Sequence, residues 1–288
     1  MDELIKALKE FFTPGGLVRI EYKYFFGLFN SLYSSAASEI ASTPSNFATV
    51  GESQVNLVTE IGTTVILPIA AAILAFNLAK ELIDLISKRN NMADFDLFAF
   101  FKILFKTAFA ASITSRCFDI VQAIFDMGSY IVTMVSGTTA ITIDAEALAE
   151  SLASTSSFGD RVMYVLLGLI IGIIILICAG LILVTIWTRL INIYILIAVS
   201  PIPFATLLSD SQTFSSVGSS FVKNVLATAL QGFIIALLMA INSSIITNLA
   251  TNVTSMLDLL KVVILLITST ITVSKSLSLA KTVVGLAG

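Results

Sequence analysis

One stretch of apolar sequence, longer than a soluble helix needs, constrains this chain more than anything else in it. From Val162 to Trp187 there is no charged side chain, and past Arg189 an apolar run resumes to about Leu208. About 20 apolar residues in a helix cross a ~30 Å hydrocarbon slab. Inside that slab every backbone N–H and C=O must find its partner within the protein, which unbroken apolar runs of this length achieve as helices. Comparable runs recur along the 288 residues, of which 57% are hydrophobic and only 12% charged. The predicted fold class is all-α: a polytopic transmembrane helix bundle of five or six spans, with amphipathic or interfacial helices at the N-terminus.

Composition then removes whole classes of function. There is no histidine, so imidazole acid–base chemistry and histidine metal sites are excluded. Cys117 and Cys178 stand singly in apolar helical sequence and read as packing residues rather than a disulfide or zinc site. No phosphate-binding glycine loop occurs. A net charge of −3 gives no general footprint for nucleic acid. No catalytic group, cofactor or metal is therefore predicted. The opening MDELIKALKEFF lacks the uninterrupted apolar core of a secretory signal.

The chain divides into an aromatic-rich N-terminal region with a polar loop, 1–54, and a helical bundle, 55–288. Leu4, Ile5, Leu8, Phe11 and Phe12 recur at helical spacing, and Pro14-Gly15-Gly16 ends that helix. Val18 to Ile40 carries Tyr22, Tyr24, Phe25, Phe26, Phe29 and Tyr33 among Lys and Glu. Such a mixture suits the headgroup level, a partner surface, or packing onto the bundle. The first span runs from about Val55 to Ala79 with Pro68 in its middle. Lys80, Lys88 and Arg89 follow it. The positive-inside rule places that loop in the cytoplasm and the N-terminus outside.

The second span, Asp96 to Val135, is helical in pattern but carries Lys102, Lys106, Arg116, Asp119 and Asp126. At 100° per residue, Lys106 and Arg116 fall within about 40° of the line through Lys102, over about 21 Å of helix. Charges at such depth face a bundle interior or a wet cavity, although Lys102 and Lys106 can also snorkel to the headgroups. Asp119, at i+3, is a natural partner for Arg116.

The segment 137–160 holds four acids and no Lys or Arg, which predicts an outer loop. Asp144 is placed to cap a short helix with Ala145, Leu148, Ala149 and Leu152 on one face. The third span, Val162 to Trp187, contains Gly168 and Gly172 in a GxxxG spacing that lets another helix approach closely. Trp187 and Arg189 mark an interface. The run after Arg189, broken by Pro201 and Pro203, either spans once more or dips in and returns. The basic residues favour five spans, with the C-terminus cytoplasmic. In the next helix Asn224, Gln231 and Asn242 align within about 20°, beside a seam of small residues that includes Gly232, Ala236 and Ala240. In the last, Lys261, Thr268, Thr272 and Lys275 share a face. Polar stripes of this kind either bond helices together or line a wet path.

Order and hydropathy together resemble a known family. An apolar span ending TRLINIYILIAVSPIPFATLL is followed by the serine-rich SDSQTFSSVGSSF and the amphipathic KNVLATALQGFIIALLMA. This arrangement, over about 55–285, resembles the polytopic membrane subunits of type IV secretion and conjugation machines, the TrbL family and the sixth VirB protein. The short loop 137–160 fits the compact form found in Gram-positive conjugative elements. The resemblance implies a multi-pass protein of the bacterial cytoplasmic membrane that helps pass DNA or protein across without hydrolysing nucleotide. Its implied partners are the lipid bilayer, further copies of itself, other transfer-machine subunits including ATPases, and translocating DNA. Copies would associate through Gly168/Gly172 and Gly232/Ala236/Ala240, and Lys102, Lys106 and Arg116 would line or gate the passage. Two other readings stay open at this point: a small-solute permease, for which Pro68 and Pro201/Pro203 would be the paired helix breaks, and a non-conducting scaffold that recruits transfer ATPases.

Overall fold

A computed structural model describes residues 15–41, 51–87, 97–136, 143–154, 158–209, 212–251, 253 and 255–286. Among them there is helix and no strand. The expected helix at 2–12, with Leu4 to Phe12, and the basic pair Lys88 and Arg89 lie outside the described residues. The chain forms two compact units, one of Met1–Ala41, Ile131–Thr188 and Gly232–Ser276, the other of Ser42–Tyr130, Arg189–Gln231 and Leu277–Gly288.

In the first unit, α1 (Gly16–Ala41) buries Val18, Tyr22, Phe26, Phe29, Tyr33, Ala36 and Ile40. Steps of three and four residues put these on one stripe of the helix. Tyr22, Phe26, Phe29 and Tyr33 thus pack onto the chain's own helices, while Tyr24 stays exposed. Each buried ring is worth about 2 kcal/mol against exposure to water. Their polar tips are satisfied as well: the Tyr22 hydroxyl donates to the Tyr164 carbonyl at 3.1 Å, and Tyr33 to that of Met239 at 3.0 Å. Against α1 lies α6 (Ala145–Ser154). Asp144 caps it, its Oδ1 accepting from the Ala147 N–H at 2.9 Å, and Leu148, Ala149, Leu152 and Ala153 are buried. Lys23 pairs with Glu146 at 3.1 Å and Arg19 with Glu150 at 3.5 Å. The acidic loop thus carries a helix held by the N-terminal one.

In the second unit, α2 (Gly51–Ile61), a π turn (Gly62–Ile66) and α3 (Leu67–Ser87) run on without interruption. Pro68 is the reason for the π turn. Proline has no N–H for the carbonyl four residues back and clashes with it. The wider turn absorbs this, with the Leu67 N–H reaching the Gly62 carbonyl. α4 (Leu97–Ser115) packs on α3. Cys117, Phe118, Val121, Phe125, Ile193, Ile197, Phe204, Val225 and Ala229 form the core.

The expected second span is two helices, α4 and α5 (Cys117–Ser136), parted by the single residue Arg116. Hydroxyls just before it compete for the helix's carbonyls. Thr114 Oγ1 donates to Ala110 O and Ser115 Oγ to Ser112 O, while the Arg116 N–H turns to Ile113 O. α7 (Phe158–Val199) is 42 residues long, about 63 Å at 1.5 Å per residue. The apolar run after Arg189 is therefore neither a separate span nor a dip, but the continuation of α7. Ser200 ends it, and Pro201 and Pro203 begin the short buried α8 (Pro201–Thr206), which packs on α3 and α4. α9 (Gln212–Ala250) has 39 residues. α10 (Met256–Ser274) and α11 (Ser276–Val283) close the chain, separated at Lys275. Six stretches among the described residues are long and apolar enough to cross a membrane: Ser53–Ser87, Leu97–Ser115, Cys117–Val135, Val162–Val199, Phe214–Ala250 and Met256–Ser274.

Candidate functional site

The polar side chains inside these spans are where function is to be sought, because each costs energy to place there. The most developed cluster lies between α3, α4 and α8. The Lys106 ammonium on α4 meets Glu81 Oε1 on α3 at 2.8 Å, with 23% and 11% of the two side chains exposed. One turn before Glu81, Asn77 is buried, and neither of its amide atoms has a hydrogen-bond partner in the protein. Leu74, Leu78, Thr107, Ala110, Ala205, Leu208 and Ser209 complete a small enclosure of about 20 Å³. Periodicity shows Lys106 as a charge inside a span but does not reveal its partner. Glu81 sits in a short acidic–basic stretch that reads as the end of a span and its loop. It belongs to Ser53–Ser87, one of the stretches long and apolar enough to cross a membrane.

The three cations of the basic stripe differ in their surroundings. Lys102 is exposed, Lys106 is turned onto Glu81, and Arg116 is exposed at the helix break. Asp119 is exposed too, and among the described residues it forms no ion pair with Arg116. Alongside these cations, Phe98, Phe101, Phe105 and Phe109 of α4 are exposed by 78%, 58%, 75% and 54%, a surface suited to lipid or to another protein.

Arg189 was expected at an interface. Instead it lies inside α7, buried, its Nε donating to the Thr228 carbonyl at 3.4 Å. Gln231 is buried, whereas Asn224 is half-exposed and faces a cleft. Asn242 Nδ2 donates to Ser269 Oγ at 2.8 Å, joining α9 to α10. Lys261 pairs with Asp258 in its own helix at 2.9 Å, and Lys275 is exposed at the α10–α11 break. Lys102, Lys106, Arg116, Asp119, Asn224 and Gln231 belong to the second unit, and Asn242, Lys261 and Lys275 to the first.

The small residues tell a similar story. A Cβ at Gly168 would stand 2.8 Å from Glu21 Cδ and 2.9 Å from Tyr22 Cε2, and one at Gly172 would strike the Phe25 ring. The GxxxG face of α7 is filled by α1 of the same chain, so it is not open to a second copy as expected. Gly232 and Ala236 are buried within the chain, and Ala240 is half-buried. Pro68 is exposed, while Pro201 and Pro203 are buried or nearly so.

Outside the spans, burial pushes the Glu21 carboxyl above the usual range, and it does the same to Glu39, where a hydrogen bond from Trp187 opposes it. Among the described residues no group of three or more Cys, Asp or Glu is arranged to hold a metal.

An all-α, multi-pass membrane protein is the class this architecture defines. The family described as TrbL/VirB6 plasmid conjugal transfer like protein matches residues 29–201, more than half of the chain. The chain belongs to that family, whose members are structural membrane components of secretion systems and work with other transfer-machine subunits. Compared with curated proteins and with solved structures, it matches none.

Proposed function

We propose that this protein is a cytoplasmic-membrane subunit of a conjugative transfer machine that assembles in several copies and forms part of the wall of a passage for DNA or protein. It works beside, and recruits, the ATPases that drive transfer. The N-terminus faces outward, as the basic residues Lys80, Lys88 and Arg89 at the end of the first span favour. The observation that carries the reading is the exposure of Arg116 at the one-residue break between α4 and α5, within the stretch matched by the family. With Lys102, it offers a polyanion two cations that are not spent inside the chain. The passage then lies between copies.

The test is a mating assay with Arg116→Ala and Lys102→Ala, alongside single cysteines at 102 and 116 probed with a charged thiol reagent after Cys117 and Cys178 are replaced. Reduced transfer with normal insertion and assembly, rescue by Arg116→Lys, and labelling at both positions are expected. Normal transfer with both positions protected would refute the passage. The second reading is a non-conducting scaffold. It is favoured by the Glu81–Lys106 and Asn242–Ser269 contacts, which spend polar groups on holding helices together.

A further inference from the structure

An open cleft of about 540 Å³ lies among the start of α9, α11 and the backbone at Pro203. One wall is a face of α9 repeating every turn: Ser216, Val217, Ser220, Phe221 and Asn224. Lys281 and Leu286 form the other. We propose that this cleft binds an anionic phospholipid, its phosphate held by Lys281 with Ser220 and Asn224 and its glycerol and first methylenes lying on Val217 and Phe221.

Three observations converge on that ligand. The first is charge: among the described residues Lys281 is the one ionisable side chain lining the cleft, and no carboxylate of theirs lines it. Among the described residues Lys281 makes no ion pair. Basic pockets between transmembrane helices take up acidic lipid headgroups for this reason. The second is depth. Span Phe214–Ala250 begins here, and Lys281 follows the end of span Met256–Ser274. Both walls therefore stand where hydrocarbon gives way to headgroups. The third is that the walls are built. A Cβ at Gly218 would lie 2.6 Å from Leu207 Cα and 2.8 Å from Pro203 O, so glycine is what lets α9 close against that backbone. At the other wall Gly285 has φ of 73°, a left-handed conformation that glycine adopts without strain. Its turn brings the Leu286 N–H back to the Lys281 carbonyl at 2.9 Å and the Gly285 N–H to Thr282 O at 3.1 Å, placing Leu286 beside Lys281. The volume falls in the range of small-molecule sites, and the mixture of hydroxyl, amide, ammonium and apolar surface suits an amphiphile.

The full chain, purified in a neutral detergent, is titrated with phosphatidylglycerol or phosphatidylcholine and bound lipid is read by native mass spectrometry. Phosphatidylglycerol is expected to be retained at one per chain, with about five- to tenfold preference, and Lys281→Gln should remove most of that preference. Lys281→Arg should keep it. Lys223→Gln, an exposed cation outside the cleft, should leave it unchanged. Val217→Trp fills the cleft and should expel the lipid even if Lys281→Gln fails to fold. Equal retention of the two lipids, an unaltered preference in Lys281→Gln, or retention in Val217→Trp would each overturn the proposal. So would displacement of the lipid by millimolar inorganic phosphate, which would make the cleft a free-anion site.

Discussion

Replacing Glu81 by leucine takes from the Lys106 ammonium its carboxylate partner between α3 and α4, and the cost can be worked from the geometry. The two charges meet at 2.8 Å. At an effective dielectric near 20, opposite charges ~4 Å apart attract by about 4 kcal/mol. Removing one partner of a buried pair costs about 3–5 kcal/mol, mostly through the stranded charge. Lys106 keeps 23% of its side chain exposed, so its ammonium can reach water in part, and the expected loss is nearer 2–3 kcal/mol. Lys106→Leu should cost about as much, because Glu81 is the more deeply buried partner. The double replacement by leucine removes both charges and fills the space. It should fall within about 1 kcal/mol of the wild type. The assay is unfolding in dodecyl maltoside titrated with sodium dodecyl sulfate, followed by circular dichroism for all four proteins. If the single variants match the wild type, or the double variant loses the sum of the two, the pair does not hold α3 to α4 and the reasoning fails.

Two further outcomes follow from the packing of α1. Gly172→Val should drive the Phe25 ring from its place and cost about 1–3 kcal/mol, whereas Gly180→Ala on the same helix, with open space around it, should be neutral or slightly stabilising. Protease release of α1 would distinguish them, and equal behaviour would refute the fit. Burial raises the carboxyls of Glu21 and Glu39, so the folded state binds protons more readily than the unfolded one. Stability is therefore greatest below the unfolded value and falls as pH rises through the folded one. Fluorescence of Trp187, the only tryptophan, should report this slope, and Glu21→Gln with Glu39→Gln should flatten it. A slope of the opposite sign would contradict the burial argument.

The sequence by itself determined that this chain is a helical membrane protein, because a hydrocarbon slab sets a minimum apolar length and that length is written locally. It also placed the Asp144 cap, which depends on residues a few positions apart. Family membership was legible in the order of hydropathy and breaks along the chain. Tertiary structure decided which partner each of these features met. Lys106 lies 25 residues from Glu81 and Tyr22 lies 142 from Tyr164; no local period encodes such pairs. The face at Gly168 and Gly172 admits any close-fitting surface, and α1 fills it only because its aromatic rings match that space. Arg189 reads as a span end because an arginine in an apolar run is costly, yet it remains inside α7, where the Thr228 carbonyl accepts from it. Hydropathy reports the cost of placing a group in the membrane. Whether a neighbour offsets that cost depends on side chains brought together from distant parts of the chain.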